Sequence, residues 1–318
     1  MSTPREIEAA RFDELLRLQL GPQLLAAIAD PAITDIMYNA DGRLWCEAHG
    51  RGLYEAGFAL PGSKVEALIG IVATSLGMVA NRDHPIVEGV LPIERIRFEG
   101  VLPPVAARAS FAMRKPSKVL YTFDDYIRDH ILTAQQAGVF RDAVARKLNI
   151  LIAGGTGSGK TTLAATLINE MAALSDPNDR YILLEDTPEI QCTAANLQTM
   201  WTSQTVDLTE LVRISMRMRP TRILIGEVRG REALGFLKAL LTGHPGGCCT
   251  VHAGSARGAL DRLETLVQEA GVPPQPRLIA ETINLIGFIE QTKGQRRVTE
   301  LVRVLGYDST HGFNLNEV

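Results

Sequence analysis

The chain has 318 residues, enough for two domains of ordinary size. Its 46% hydrophobic, 22% charged and 5% aromatic residues give the composition of an ordinary globular protein. A net charge of −3 gives no whole-chain reason to expect nucleic-acid binding. The longest apolar stretch, residues 67–80, is interrupted by glycines and too short to span a bilayer. Charged residues run through the first fifteen positions, so no signal peptide is expected and the protein is expected in the cytosol. Cys46, Cys192, Cys248 and Cys249 form no C-x-x-C pair, which suits a reducing compartment.

In chain order, apolar spacing predicts a helix over 11–29. Strands over 33–38 and 44–47 follow, around an Asn-Ala-Asp-Gly turn. A helix over 65–78 comes next, then half-buried strands over 95–98 and 107–114, separated by Pro103-Pro104. This region reads as α+β. A change of pattern at Lys115-Pro-Ser-Lys118 marks a linker, and a helix over 133–147 leads to a strand over 148–153. Helices are then expected over 162–170, 208–218, 232–241 and 256–269, among strands at 181–185, 197–201, 223–227 and 248–252. Their alternation implies a mostly parallel sheet covered on both faces. Strands over 286–291 and 298–304, around Lys293-Gly-Gln, read as a terminal hairpin. The fold class is therefore α/β: a smaller α+β domain over 1–115, a linker over 116–137 and a P-loop domain over 138–318.

Gly154, Gly155, Thr156, Gly157, Ser158, Gly159, Lys160 and Thr161 fill every fixed position of the phosphate-binding loop G-x-x-x-x-G-K-[ST]. The glycines let backbone N–H groups turn inward around phosphate oxygens. Lys160 supplies a point charge to the β- and γ-phosphates, and the Thr161 hydroxyl suits Mg²⁺. An apolar strand precedes the loop and a helix beginning at Thr162 follows it, so loop amides and helix dipole both favour an anion.

Hydrolysis needs more than a cradle, and three polar clusters fall at expected strand ends, where open α/β sheets place their sites. Leu-Leu-Glu-Asp-Thr-Pro-Glu brings Glu185 and Asp186, and Ile-Gly-Glu-Val-Arg-Gly brings Glu227 for the Mg²⁺ water shell. His244-Pro-Gly-Gly-Cys-Cys-Thr-Val-His252 brings Thr250 or His252 as a γ-phosphate sensor. Taken singly, a carboxylate after a strand is often a helix cap and a lone histidine a structural residue. Their joint occurrence after the loop favours the chemical reading. A metal site in the last cluster is disfavoured, because adjacent cysteines on a strand face opposite ways and the spacing fits no common zinc pattern.

Gly-Gly-Thr-Gly-Ser-Gly-Lys-Thr-Thr, Leu-Glu-Asp-Thr-Pro-Glu, Gly-Glu-Val-Arg-Gly and Thr-Gly-His-Pro-Gly-Gly resemble, in order, the Walker A, Asp, Walker B and His boxes of the secretion and type IV traffic ATPases. Pro-Ala-Ile-Thr-Asp-Ile-Met-Tyr-Asn-Ala-Asp-Gly-Arg-Leu-Trp45 is similar to the start of the conjugal-transfer, TrbB-type branch. The resemblance implies a hexameric RecA-like motor that binds ATP and Mg²⁺. It implies Glu185 as the glutamate polarising water, Glu227 as the Walker B carboxylate sharing Mg²⁺ with Thr161, and His252 or His244 as the His-box residue. Gly226 stands where a Walker B strand usually carries aspartate, a departure relatives share.

The resemblance also implies arginines of the N-terminal domain at the γ-phosphate. Arg97 and Arg114 match best, with Arg95 as rival to Arg97 on one strand face. Arg217, Arg219, Arg229 and Arg231 form a further, unranked basic group. The implied setting is the cytoplasmic side of the inner membrane, attached peripherally to other type IV secretion or conjugation components. A pilus-retraction or type II secretion ATPase shares the boxes, but the type II branch usually carries a four-cysteine insertion that this chain lacks. A RecA-like module gripping single-stranded nucleic acid calls for a basic groove with aromatics; negative charge and few aromatics offer direct DNA binding little support.

Overall fold

The structure, a computed structural model, describes residues 4–116, 119–203, 205–292 and 294–318, and divides into two compact units, 1–117 and 118–318. Ser117 and Lys118 of the expected linker, and Lys293 of the expected turn, lie outside the described residues.

The first unit opens with α1 (Pro4–Ala29), broken at Gly21, where φ is +72°, ahead of Pro22. Leu16, Leu20, Leu24 and Ile28, at helical spacing, are buried. The sheet contains β1 (Ile33–Tyr38), β2 (Leu44–Ala48), β3 (Gly52–Glu55), β4 (Ile86–Val90), β5 (Arg97–Val101) and β6 (Ser110–Arg114). They pair antiparallel in the order β3-β2-β1-β6-β5-β4. Helix α2 (Gly62–Ser75) turns Val65, Leu68, Ile69 and Val72 inward. Phe98 and Phe111 stack between neighbouring strands, so the alternate residues Arg97 and Arg114 take the opposite face.

Two strands here escaped the sequence pattern. β3 is almost wholly exposed, and Glu88-Gly89 interrupts the apolar signal of β4. Arg95 is also corrected: it is not on the strand but in a tight turn before β5, at φ +54°. Backbone bonds Leu91 to Ile96 and Ile96 to Ile93 close that turn, so Arg95 does not share a strand face with Arg97.

The second unit begins with α3 (Phe123–Arg128) and α4 (Ala134–Ala145), each opened by a capping box, at Thr122 with Asp125 and Thr133 with Gln136. Residues 123–137 are therefore not linker: Phe123, Tyr126 and Leu132 are buried in this unit's core. The remaining elements are β7 (Ile150–Gly154), α5 (Lys160–Leu174), β8 (Tyr181–Glu185), β9 (Leu197–Trp201), α6 (Leu208–Ser215), β10 (Arg222–Ile225) and α7 (Glu232–Leu241). They continue with β11 (Cys248–His252), α8 (Ala256–Gln268), α9 (Pro276–Thr282), β12 (Leu285–Thr292), β13 (Gln295–Asp308) and β14 (Gly312–Glu317).

The sheet order is β14-β13-β12-β7-β11-β10-β8-β9, parallel from β12 to β9 and antiparallel in its last two strands. One core lies under α3, α4 and α5, the other under α6 to α9. Cys248 belongs to the first and Cys249 to the second, as strand alternation requires. The expected hairpin exists as β12–β13 but is not terminal, because β14 follows it. Helix α6 stops at Ser215, and the turn beyond it reaches Arg219 at φ +57° ahead of Pro220.

Candidate active site

Because β7, β8, β10 and β11 run parallel, their carboxyl ends open on one edge. His252 is level with Gly154, and Leu184, one residue before Glu185, is level with Ile225, one residue before Gly226. Three of the boxes, Walker A, Asp and Walker B, far apart in the chain, thus meet at their strand ends together with His252, whereas the Thr-Gly-His-Pro-Gly-Gly stretch of residues 242–247 precedes β11 and lies at the sheet's opposite edge.

Gly154 closes β7 so near the Ile289 carbonyl and Ser158 Oγ that a Cβ there would collide with both. Gly155, Thr156, Gly157 and Ser158 turn the chain into α5, with Gly159 as its N-cap. The Ser158 hydroxyl is buried and has no hydrogen-bond partner among the described residues. Lys160 begins α5; its Nζ donates to the Gly155 carbonyl at 2.8 Å and lies 3.4 Å from His252 Nδ1. Burial lowers the Lys160 ammonium from its ordinary range, partly opposed by the charge of Glu227. Thr161 and Thr162, half-buried, follow in the first turn.

Glu185 is 4% exposed, and its Oε1 accepts the backbone N–H groups of Glu189 and Ile190, each at 2.9 Å. Its side chain packs against Gly226: a Cβ on that residue would stand 3.2 Å from Glu185 Cγ. The missing Walker B aspartate therefore has a local reason, since glycine leaves room for the glutamate of the neighbouring strand.

Glu227 is more accessible and accepts both Arg229 Nε at 3.0 Å and Arg229 Nη2 at 2.6 Å. Arg229 also reaches Asp186 at 3.4 Å. Burial pulls the Arg229 guanidinium down, but Glu227, Asp186 and Glu189 outweigh it and hold it above its ordinary value. Arg229 is thereby singled out from the basic group that sequence left unranked. Arg231 pairs with Asp207 at 2.7 Å, and Arg219 lines a polar cavity with Lys147 and Arg180. Arg217 is exposed.

The histidine alternatives separate cleanly. His252 ends β11 at the loop, whereas His244 precedes the start of that strand, with Nδ1 3.2 Å from the Ala239 carbonyl. Thr250 is fully buried and donates its hydroxyl to the Gly226 carbonyl at 2.8 Å, a structural bond rather than a sensor's reach. Arg97 and Arg114 belong to the first unit, where β5 and β6 set them directly opposite each other; Arg114 Nε is 3.8 Å from Asp35 Oδ1.

Sequence reasoning missed Glu232. Its Oε1 accepts the N–H groups of Arg229 at 2.6 Å and Gly230 at 2.8 Å, bracing the loop that carries Glu227 and Arg229. An acid in the first turn of α7 was the signal available for it. The donor set suits a metal-bound polyphosphate: a glycine cradle, an orphaned buried hydroxyl, a desolvated ammonium and an accessible carboxylate.

The type II/IV secretion system protein family matches residues 87–301. The chain is 44% identical over 301 residues to conjugal transfer protein TrbB of Rhizobium radiobacter, covering 95% of this chain and 93% of that one. It is 46% identical over 294 residues to the probable conjugal transfer protein TrbB of Sinorhizobium fredii, covering 92% and 90%. Among solved structures, the Legionella pneumophila ATPase DotB matches with a TM-score of 0.62 at 22% identity, over 90% of this chain and 80% of that one, a likeness of fold. The chain belongs to the type II/IV secretion system protein family, among its conjugal-transfer and type IV secretion ATPases.

Proposed function

We propose that this protein hydrolyses ATP within a hexameric ring to drive type IV secretion or conjugative DNA transfer. It works in the cytoplasm, held peripherally at the inner membrane by other components of such a system, and contacts those proteins rather than DNA. The observation that carries the reading is the convergence of Lys160, His252, Glu185 and Glu227 on one sheet edge around the glycine loop.

In this reading the amides of residues 155–162 and Lys160 bind the phosphates. Thr161 and Glu227 would hold Mg²⁺, the latter partly through water, and the ion would supply positive charge beside the phosphates. Glu185, fixed by two backbone N–H groups, orients the attacking water. His252, next to Lys160, responds to whether that ammonium is engaged by phosphate. Arg97 and Arg114, opposite each other on β5 and β6, stabilise charge on the γ-phosphate. The first unit is thus regulatory and oligomerising.

ATP turnover together with native mass, measured with and without ATP and Mg²⁺, tests the reading. The expected result is a hexamer with turnover that Lys160→Ala abolishes. An inert monomer, or undiminished turnover in that variant, sinks it.

A further inference from the structure

One cation beside the phosphate loop has no part in the scheme above. The hairpin β12–β13 flanks β7 on the side away from β11, with Ile289 level with Gly154 and Arg296 opposite Gln291. From β13 the Arg296 side chain lies over the start of α5. A Cβ on Gly159, the N-cap of that helix, would stand 3.2 Å from Arg296 Cδ and 3.5 Å from Nε. Arg296 is exposed, and among the described residues no carboxylate forms an ion pair with it.

Three positive ends therefore gather at one place: the N-terminus of α5, the Lys160 ammonium and the Arg296 guanidinium. A cation beside a helix N-terminus is unfavourable by itself, and an anion between the three reverses the sign of each interaction. The two side chains approach from opposite sides. Lys160 turns toward β11, where His252 is its neighbour, with Glu227 and Glu185 following β10 and β8 beyond. Arg296 comes from the β12 side. Across the sheet edge the order is Arg296, phosphate loop, Lys160, carboxylates. The reacting γ-phosphate belongs with the carboxylates, which leaves Arg296 the other end of the phosphate chain.

We infer that Arg296 is a second cation of the phosphate site and pairs with the α-phosphate of the bound nucleotide. This rests on the reading of the glycine loop as an ATP site. A guanidinium offers two parallel N–H donors to phosphate oxygens, a match an ammonium cannot reproduce. Since the α-phosphate is unchanged by hydrolysis, the contact serves binding of substrate and product alike.

The test is equilibrium binding of ADP and of the β,γ-imido analogue of ATP to the full chain. The proteins are wild type, Arg296→Ala, Arg296→Lys, Arg296→Glu and Lys160→Ala, with melting temperatures taken without nucleotide. Arg296→Ala should raise Kd about tenfold, the scale of a charge-assisted hydrogen bond, and by the same factor for both nucleotides. Lysine should recover part of the loss, glutamate should deepen it, and the melting temperatures should hold. Unchanged Kd, equal loss in all three variants, or a loss confined to the ATP analogue overturns the assignment. Wild type failing to bind ADP, or Lys160→Ala binding as wild type does, overturns the ATP-site reading itself.

Discussion

At the scale of single residues, Gly226 and Glu185 form one unit. The strand pairing of β8 with β10 sets them side by side, and the room left by a missing Cβ is filled by Glu185. Gly226→Ala should push that carboxylate aside and lower turnover by about tenfold, since small misplacements of a catalytic group are costly. Glu185→Gln keeps the shape and an oxygen for the loop amides, and should lower turnover more, by about a hundredfold. Steady-state ATPase rates beside ADP affinity check both; loss of binding equal to loss of turnover would make Glu185 a loop brace only. The sequence placed Glu185 and Glu227 at strand ends, where the structure has them, because an apolar run followed by a polar cluster reports a strand's carboxyl edge; Lys160 opens the helix after the loop. It could not rank Arg229 or find Glu232, whose importance comes from hydrogen bonds to a loop rather than from any spacing.

At the scale of elements, Arg222 is the main brace of the sheet's opposite edge. It is 1% exposed, and donates to the carbonyls of Gly246 and Val144 and to Ser175 Oγ. It so ties β10 to the end of α4, the end of α5 and the turn before β11. Arg222→Ala should destabilise by about 3 kcal/mol, from stranded carbonyls and lost packing. Arg222→Met, which fills the space and relieves a buried charge, should cost less. Chemical denaturation of the two variants decides this. The capping box of α3 adds a pH signature. Bonds from the Thr122 hydroxyl and N–H, then Arg128, hold the Asp125 carboxyl down at about 2 from 3.8. A depressed acid contributes its stability above the unfolded value and loses it as pH falls through the folded one. The stability difference between wild type and Asp125→Asn should thus be full at pH 6 and fade between about pH 4 and 2. A constant difference across that range would remove the carboxylate from the account. Elements with strong periodicity were legible in the sequence. β3, β4, β14 and α9 were not, and α3 was hidden by the linker-like composition before it, because short edge strands and short helices bury too few residues to leave a pattern.

At the scale of the whole molecule, each unit has its own core, and the second unit has two, one on each face of its sheet. Cys248 and Cys249 sample those two cores from adjacent positions. Burial pushes the Cys248 thiol up to about 12 and raises that of Cys249 well above its ordinary value. Both should resist alkylation at pH 8 in the native protein and react together on unfolding, since exposing the pair requires opening both layers. Mass spectrometry across a denaturant series reads this directly; labelling of one before the other would show that the faces open separately. The alternation of strands and helices was enough to expect this layered architecture. The order of its strands was not, because pairing between β7 and β12 joins segments about 135 residues apart.

That pairing bears on how the glycine signature should be understood. Gly154 is hemmed in by the Ile289 carbonyl of β12 and by Ser158, whereas Gly155, one position on, has open space around it. The first fixed glycine of the signature is thus a demand of the neighbouring strand as much as of phosphate. A change there disturbs the sheet before any nucleotide arrives. Read this way, the motif records the fold's internal fit together with its ligand, and loss of binding in a loop variant is evidence about the ligand only when the sheet beside it has been shown intact.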